Sequence, residues 1–212
     1  MADLIGVIDY GVGNITSLVQ SLELMKGRTQ AVRRIDDPSM LNDCNKIVLP
    51  GVGAFSVAMG NLTRLGLDKA ILEFAASGRW VLGICLGMHL LFDSSEEFGE
   101  CGGLSLIPGR VVHFLDSIGD VEARGLKIPH IGWNQNFMVK QHPVLDGLES
   151  GLYLYFVHSY RVVCDDEFVL ASCMHGLSFP SVVGRDRILG MQPHPEKSQA
   201  GGLKILQNFL RL

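Results

Sequence analysis

Cys85 stands where a chain would place a thiol for use. The run Trp80-Val81-Leu82-Gly83-Ile84-Cys85-Leu86-Gly87-Met88-His89-Leu90-Leu91-Phe92 opens as a short apolar segment, which reads as a buried strand. It continues with apolar residues at helical spacing. A strand that turns sharply into a helix with a nucleophile at its apex needs small residues two places before and two after, and Gly83 and Gly87 supply them. The same turn sets the sulfur at a helix N-terminus, where free N–H groups and the dipole favour thiolate over thiol. A lone cysteine in a strand–helix connection is more often a plain buried thiol. The two glycines favour catalysis, provided a base exists elsewhere in the chain. Among the seven histidines, His194 stands apart in Gln192-Pro193-His194-Pro195-Glu196-Lys197-Ser198. Proline on both sides fixes the local backbone. Glu196, two residues on in an extended chain, lies on the same side and reaches the ring. Cys85, His194 and Glu196 therefore make a nucleophile, a base and the group that orients the base. On spacing alone, a surface His-Pro-Glu turn accounts for the same residues equally well.

The elements that must carry these residues follow in order. Leu4–Ile8 reads as a strand, and Asp9–Asn14 as a glycine-rich turn. Asn14 caps a helix whose face is Ile15, Leu18, Val19, Leu22 and Met25. The dinucleotide spacing Gly-x-Gly-x-x-Gly is missing because position 16 is Thr, so this turn reads as a presented surface. Residues 31–35 and 46–49 are further strands, the latter ended by Pro50-Gly51-Val52-Gly53. A glycine-rich turn at the C-terminal end of a strand is where open α/β sheets put their sites; taken alone, this one reads as a plain turn. Residues 54–65 and 67–77 are helical by period, with faces Phe55, Ala58, Met59, Leu62 and Leu67, Ala70, Ile71, Phe74. Strands alternating with helices predict a three-layer α/β fold with a mostly parallel central sheet. Beyond residue 94 short β-like runs follow at 105–115, 126–131, 136–140, 152–157, 161–164, 168–174, 179–184 and 187–191, adding antiparallel hairpins in the C-terminal half. Ser198 is placed to cap a final helix. No composition break divides the chain, so residues 1–212 are expected to form one domain.

Composition excludes other classes. The 212 residues are 47% hydrophobic and 19% charged, which marks an ordered globular protein. A net charge of -4 gives no nucleic-acid signal and no basic face for a membrane. Met1–Gly6 is too short and too acidic for a signal peptide, and no apolar run approaches spanning length. The five cysteines are odd in number and lack Cys-x-x-Cys spacing, which reads as reduced thiols in a cytoplasmic protein with no zinc site.

Gly83-x-Cys85-x-Gly87 followed by His194-Pro195-Glu196 resembles the class I (triad) glutamine amidotransferases. Asp9–Asn14, Leu49–Phe55, Gly83–Met88, Pro129–Asn134, Tyr155–Tyr160 and His194–Ser198 extend the resemblance to the glutaminase subunits of imidazole glycerol phosphate synthases, in that family's order and over nearly the whole chain. The resemblance implies hydrolysis of L-glutamine to glutamate and ammonia without a cofactor. Cys85 would form a glutamyl thioester, His194 would move the protons, and Glu196 would orient His194. Backbone N–H groups of Leu86 and of the Val52-Gly53 turn would hold the oxyanion. Gly51, His89, Ser159, Tyr160 and either Glu96 or Glu97 would contact the glutamine. The ammonia would pass to a docked (β/α)8 barrel cyclase or synthase of histidine synthesis, with Asn14 and Trp133 at or near the docking face.

Two residues depart from the family pattern. Relatives carry Gln at the position of His89, where it helps to hold glutamine, and commonly Phe at the position of Pro193. These departures leave room for a paralogue that feeds ammonia to a sugar-aminating synthase of surface-polysaccharide assembly, or for a binding subunit with a decayed glutamine site. A free-standing cysteine hydrolase is a further alternative. The intact triad residues argue against decay, and the family-wide motif set argues against the free-standing hydrolase.

Overall fold

The computed structural model of the chain describes residues 3–118 and 126–212; Met1 and Ala2, the start of the stretch read as no signal peptide, lie outside them. The N-terminal half alternates as predicted: β1 (Asp3–Ile8), α1 (Ile15–Met25), β2 (Gln30–Ile35), β3 (Lys46–Leu49), α2 (Phe55–Leu65), α3 (Leu67–Ala76), β4 (Trp80–Ile84) and α4 (Leu86–Leu90). Then come β5 (Ser94–Ser95), β6 (Cys101–Gly102), β7 (Arg110–His113), α5 (Leu115–Ile118), β8 (His130–Met138), β9 (Leu152–His158), β10 (Tyr160–Val163), β11 (Val169–His175), β12 (Leu177–Arg185), β13 (Ile188–Met191) and α6 (Gln199–Arg211).

Nine strands form one sheet in the order β2-β1-β3-β4-β13-β12-β11-β8-β9. From β2 to β13 neighbours run parallel, and from β13 to β9 antiparallel. The predicted hairpins therefore extend the central sheet and make it mixed. A smaller sheet, β10-β7-β5-β6, lies beside it. The parallel strands bury both faces, as strands covered by helices must. Leu4, Ile8, Ile47, Leu49 and Val81 pack on one side with Phe55, Leu62 and Phe74 of α2 and α3. Ile5, Val7, Val48, Leu82 and Ile84 pack on the other with Leu18, Leu22 and Phe209 of α1 and α6. Each such large side chain stabilises the fold by about 1.5–3 kcal/mol relative to exposure.

Three local expectations are corrected. Of residues 105–115, only Arg110–His113 is a strand, with the one-turn α5 starting at Leu115. The runs 126–131 and 136–140 are not separate strands: β8 pairs with β9 without a break from His130↔His158 to Asn136↔Leu152. The polar stretch Asn134-Gln135-Asn136 hid that continuity, because it interrupts the apolar pattern inside the strand. Ser198 precedes α6, yet its hydroxyl does not cap it. It donates to the His194 carbonyl at 2.6 Å and accepts from the Tyr155 N–H at 2.9 Å, tying the end of the chain's triad segment to β9.

Two buried histidines join β8 to β9 at the end nearest the site. The Tyr160 carbonyl can only accept, so His158 Nδ1, 2.7 Å away, carries a hydrogen. In the neutral ring His158 Nε2 then accepts from His130 Nδ1 at 2.9 Å, and His130 Nε2 accepts from Asn134 Nδ2 at 3.1 Å. This chain of bonds needs both rings neutral. Burial favours that state, holding His158 well below its usual value and His130 down at about 4. Folded pKa values below the ordinary 6.5 mean that the unfolded chain binds more protons between about pH 6.5 and 4, so stability is present above that window and falls as pH falls through it. The urea midpoint is expected to drop between pH 7 and 5, and to drop less in His158→Gln, which lacks one of these groups. An equal drop in both proteins would contradict the assignment.

Candidate active site

The predicted turn is built by close approach. Gly83 on β4 pairs with Gly190 on β13, which leaves a bare strip of sheet. The first turn of α4 sinks into it: a Cβ on Gly83 would lie 2.5 Å from the Gly87 carbonyl oxygen, and one on Gly190 would lie 2.7 Å from Met88 Cγ. Gly87 in turn sits against the end of β3, where a Cβ would come within 1.7 Å of the Leu49 carbonyl oxygen. The chain reverses at Cys85 with φ +55° and ψ −112°, a region that non-glycine residues rarely occupy. Such backbone strain persists where the surroundings over-determine it, and it clusters at functional sites. The Cys85 N–H is held by the Met191 carbonyl at 2.7 Å, so β4 and the strand leading to His194 are locked together at their ends.

His194 and Glu196 follow β13. Their carboxylate–imidazole bond, Nδ1 to Oε1, is 2.8 Å long, and both side chains are almost wholly buried. The His194 N–H donates to the Tyr155 carbonyl at 2.9 Å, which ties this segment to the middle of β9. His194 Nε2 is buried and has no hydrogen-bond partner among the described residues. Burial alone would push the imidazolium down. The Cys85 thiol beside it and Glu196 outweigh that and raise His194 to about 10. The geometry thus brings the three predicted residues together, with His194 between Cys85 and Glu196.

A cavity of ≈ 500 Å³ opens at Cys85 and is lined by Val52, Gly53, Leu86, His89, Glu97, Val157, His158, Ser159, Tyr160 and Lys197. The two candidate glutamates are placed differently. Glu97 lines the cavity, and its Oε2 accepts from the Phe55 N–H at 2.7 Å, supplying the cap that Ala54 cannot give to α2. Glu96 points outward, half-exposed, 3.7 Å from Arg110. His89 stands in the cavity wall with Nε2 bonded to Gln192 Oε1 at 2.7 Å. Gly51 lies behind the wall, where a Cβ would sit 2.5 Å from the Tyr10 hydroxyl. The Leu86 N–H, read as an oxyanion donor, donates to the Gly51 carbonyl at 3.3 Å in this resting arrangement. Asn14 and Trp133 are outside the cavity: Asn14 Oδ1 caps α1 by accepting from the Ser17 N–H, and Trp133 packs edge-on against Tyr155 at 6.1 Å with 44% of its surface exposed.

Three residues of the site escaped the sequence reading. Gln192 presents its amide nitrogen to Cys85 Sγ at 3.8 Å. The Tyr10 hydroxyl donates to the Pro50 carbonyl at 2.6 Å and pins the turn beside the nucleophile. Lys197 sits in the cavity wall with its ammonium 5.9 Å from the Tyr155 ring. Lys197 adjoins the triad in sequence and was findable there. Tyr10 and Gln192 act through contacts across 40 and 107 residues, which no local spacing reveals. A larger cavity, ≈ 610 Å³, lies around Lys140, Arg161 and Phe179 and includes none of the triad.

Residues 6–212 match the family described as Glutamine amidotransferase class-I, and the chain belongs to that family. Among its relatives is the imidazole glycerol phosphate synthase subunit HisH of Sulfurimonas denitrificans, 49% identical over 98% of each chain. The subunit of the same name from Wolinella succinogenes is 44% identical over 99% of this chain and all of its own. Among solved structures, PurLQS from Thermotoga maritima superimposes with a TM-score of 0.73 at 21% identity, covering 100% of this chain and 99% of that one. A glutamine amidotransferase from Thermotoga maritima gives a TM-score of 0.61 at 13% identity, over 92% of this chain and 77% of that one. These structures share the mixed sheet flanked by helices.

The tight packing of the turn makes a direct prediction. Gly87→Ala drives a methyl group into the Leu49 carbonyl, where backbone and not a flexible side chain must move. The variant is expected to lose about 3 kcal/mol or more of stability in urea unfolding. An unchanged midpoint would mean that α4 does not sit against β3 in this way.

Proposed function

We propose that this chain is the glutaminase subunit of an imidazole glycerol phosphate synthase of histidine biosynthesis, acting as one domain in the cytoplasm. It hydrolyses L-glutamine and hands ammonia to a (β/α)8 barrel synthase. The observation that carries the reading is the buried Cys85–His194–Glu196 arrangement, with Cys85 opening on one cavity, in a chain similar over nearly its whole length to the HisH subunits.

The chemistry follows from the positions. Cys85 sulfur attacks the side-chain amide carbon of glutamine, and the carbonyl oxygen becomes an oxyanion. His194, protonated by the thiol proton and steadied by Glu196, gives that proton to the departing nitrogen, and ammonia leaves behind a glutamyl thioester. Water, deprotonated by His194, then cleaves the thioester to glutamate and free thiol. Glu97, Ser159 and Tyr160 are disposed to hold the charged end of the substrate, with the Glu97 carboxylate facing its ammonium. The oxyanion needs N–H donors at the turn of Val52 and Gly53 and at Leu86. The Leu86 N–H is occupied by the Gly51 carbonyl at rest, so turnover requires the Gly51–Val52 peptide to turn away.

A docked partner has a natural seat. On β8 and β9 the exposed side chains Ile131, Trp133, Phe137 and Tyr153 form an apolar face, and Tyr155 and Val157 carry it to the cavity. Covering that face with a synthase would keep released ammonia from water, where protonation would remove its nucleophilicity. Glutamate release should be slow for the purified chain and should rise when the barrel synthase and its ribotide ligand are added. Cys85→Ala should remove about 10,000-fold or more of the partner-stimulated rate while keeping a native circular dichroism spectrum. A folded wild-type chain that releases no glutamate with the partner present would overturn the proposal.

A further inference from the structure

We infer that His89 and Gln192 form a positioning pair that steadies the charged form of the Cys85 sulfur, a role separate from the triad and resting on the glutaminase reading above. His89 lies one helical turn beyond the nucleophile, and its N–H donates to the Cys85 carbonyl at 3.2 Å, so both side chains rise from one face of α4. Gln192 follows Met191, whose carbonyl holds the Cys85 N–H at 2.7 Å, and it is wholly buried. The two side chains meet beside the sulfur.

Hydrogen-bond inventory fixes the direction. Gln192 Oε1 can only accept, so His89 Nε2, 2.7 Å away, carries the hydrogen. That bond decides which end of the amide faces the nucleophile. The amide nitrogen of Gln192 is turned to Cys85 Sγ at 3.8 Å and donates to it. Turned the other way, the carboxamide oxygen would face the sulfur and repel a thiolate. His89 thus acts as a lock on a glutamine that would otherwise have two orientations. Burial pushes His89 down to about 4, so the lock is neutral at ordinary pH and adds no positive charge of its own. Around the sulfur stand His194 and Tyr10, and Glu97, His158, Tyr160 and Lys197 line the same cavity. This also gives His89 a use other than gripping substrate, since its Nε2 is already engaged.

The test reads the sulfur directly and needs no turnover. Alkylation of Cys85 by iodoacetamide is followed against pH by mass spectrometry of the peptide that carries it, alongside kcat and KM for glutamine. Gln192→Leu should move the alkylation midpoint up by about one pH unit and lower kcat with little change in KM. The isosteric Gln192→Glu should move it further, because a carboxylate then faces the sulfur. His89→Phe should shift it in the same direction by less, and His89→Gln, which keeps an N–H donor, should stay nearer the parent. In the double variant His89→Phe with Gln192→Leu, the shift should equal that of Gln192→Leu alone. Midpoints that stay at the parental value in both Gln192 variants would overturn the inference even if kcat falls. Shifted midpoints in a chain that never releases glutamate would sustain the pair and sink the glutaminase reading.

Discussion

The contact between the first turn of α4 and the bare sheet beneath it is the constraint on which the site depends. Gly83 and Gly190 lie side by side on β4 and β13, and Gly87 meets the end of β3, so a helix begins closer to the sheet than side chains would permit. Cys85 is forced to φ +55° at the corner. Its sulfur is thereby presented beside β13, the strand that delivers Gln192, His194 and Glu196. The positions of Cys85 and of the segment that carries His194 are consequences of one packing event. The apolar layers on both faces of the sheet hold that geometry in place.

Most polar groups around the corner are held by specific partners. Glu196 accepts the Nδ1 hydrogen of His194, leaving Nε2 without a partner among the described residues. Ser198 anchors the His194 peptide to Tyr155, and Tyr10 anchors Pro50. Glu97 caps α2 while facing the cavity. The His130–His158 chain ends on the Tyr160 carbonyl and so reaches the segment that lines the substrate side. Each of these bonds restricts the movement of the groups around the corner. The Gly51 carbonyl on the Leu86 N–H ties the turn after β3 to the start of α4.

Much of this was legible in the sequence. The spacing of Gly83, Cys85 and Gly87 encodes a steric requirement, so it announced the turn. The helical faces of α2 and α3 matched their apolar periods because each buries one stripe. His194 and Glu196 are two residues apart, but their side chains meet across the 3-10 turn Pro195–Lys197 and not along the extended chain that the spacing suggested. Illegible features were those set by long-range contact. The placement of the hairpins within the central sheet depends on β12 pairing with β13, which no local pattern specifies. Ser198 has the composition of a helix cap but is claimed by Tyr155 and His194. The role of His89 depends on Gln192, 103 residues away.

The central claim is that Cys85 is the nucleophile and that His194 and Glu196 prepare it. It is tested most directly with a glutamine analogue that carries a diazoketone in place of the side-chain amide, applied to the complete chain with its barrel partner. Intact-mass and peptide analysis should find one adduct, on Cys85, formed much more slowly in His194→Asn and blocked by excess glutamine. An adduct on Cys44, Cys101, Cys164 or Cys173, or no adduct in a complex that binds glutamine, would contradict the account.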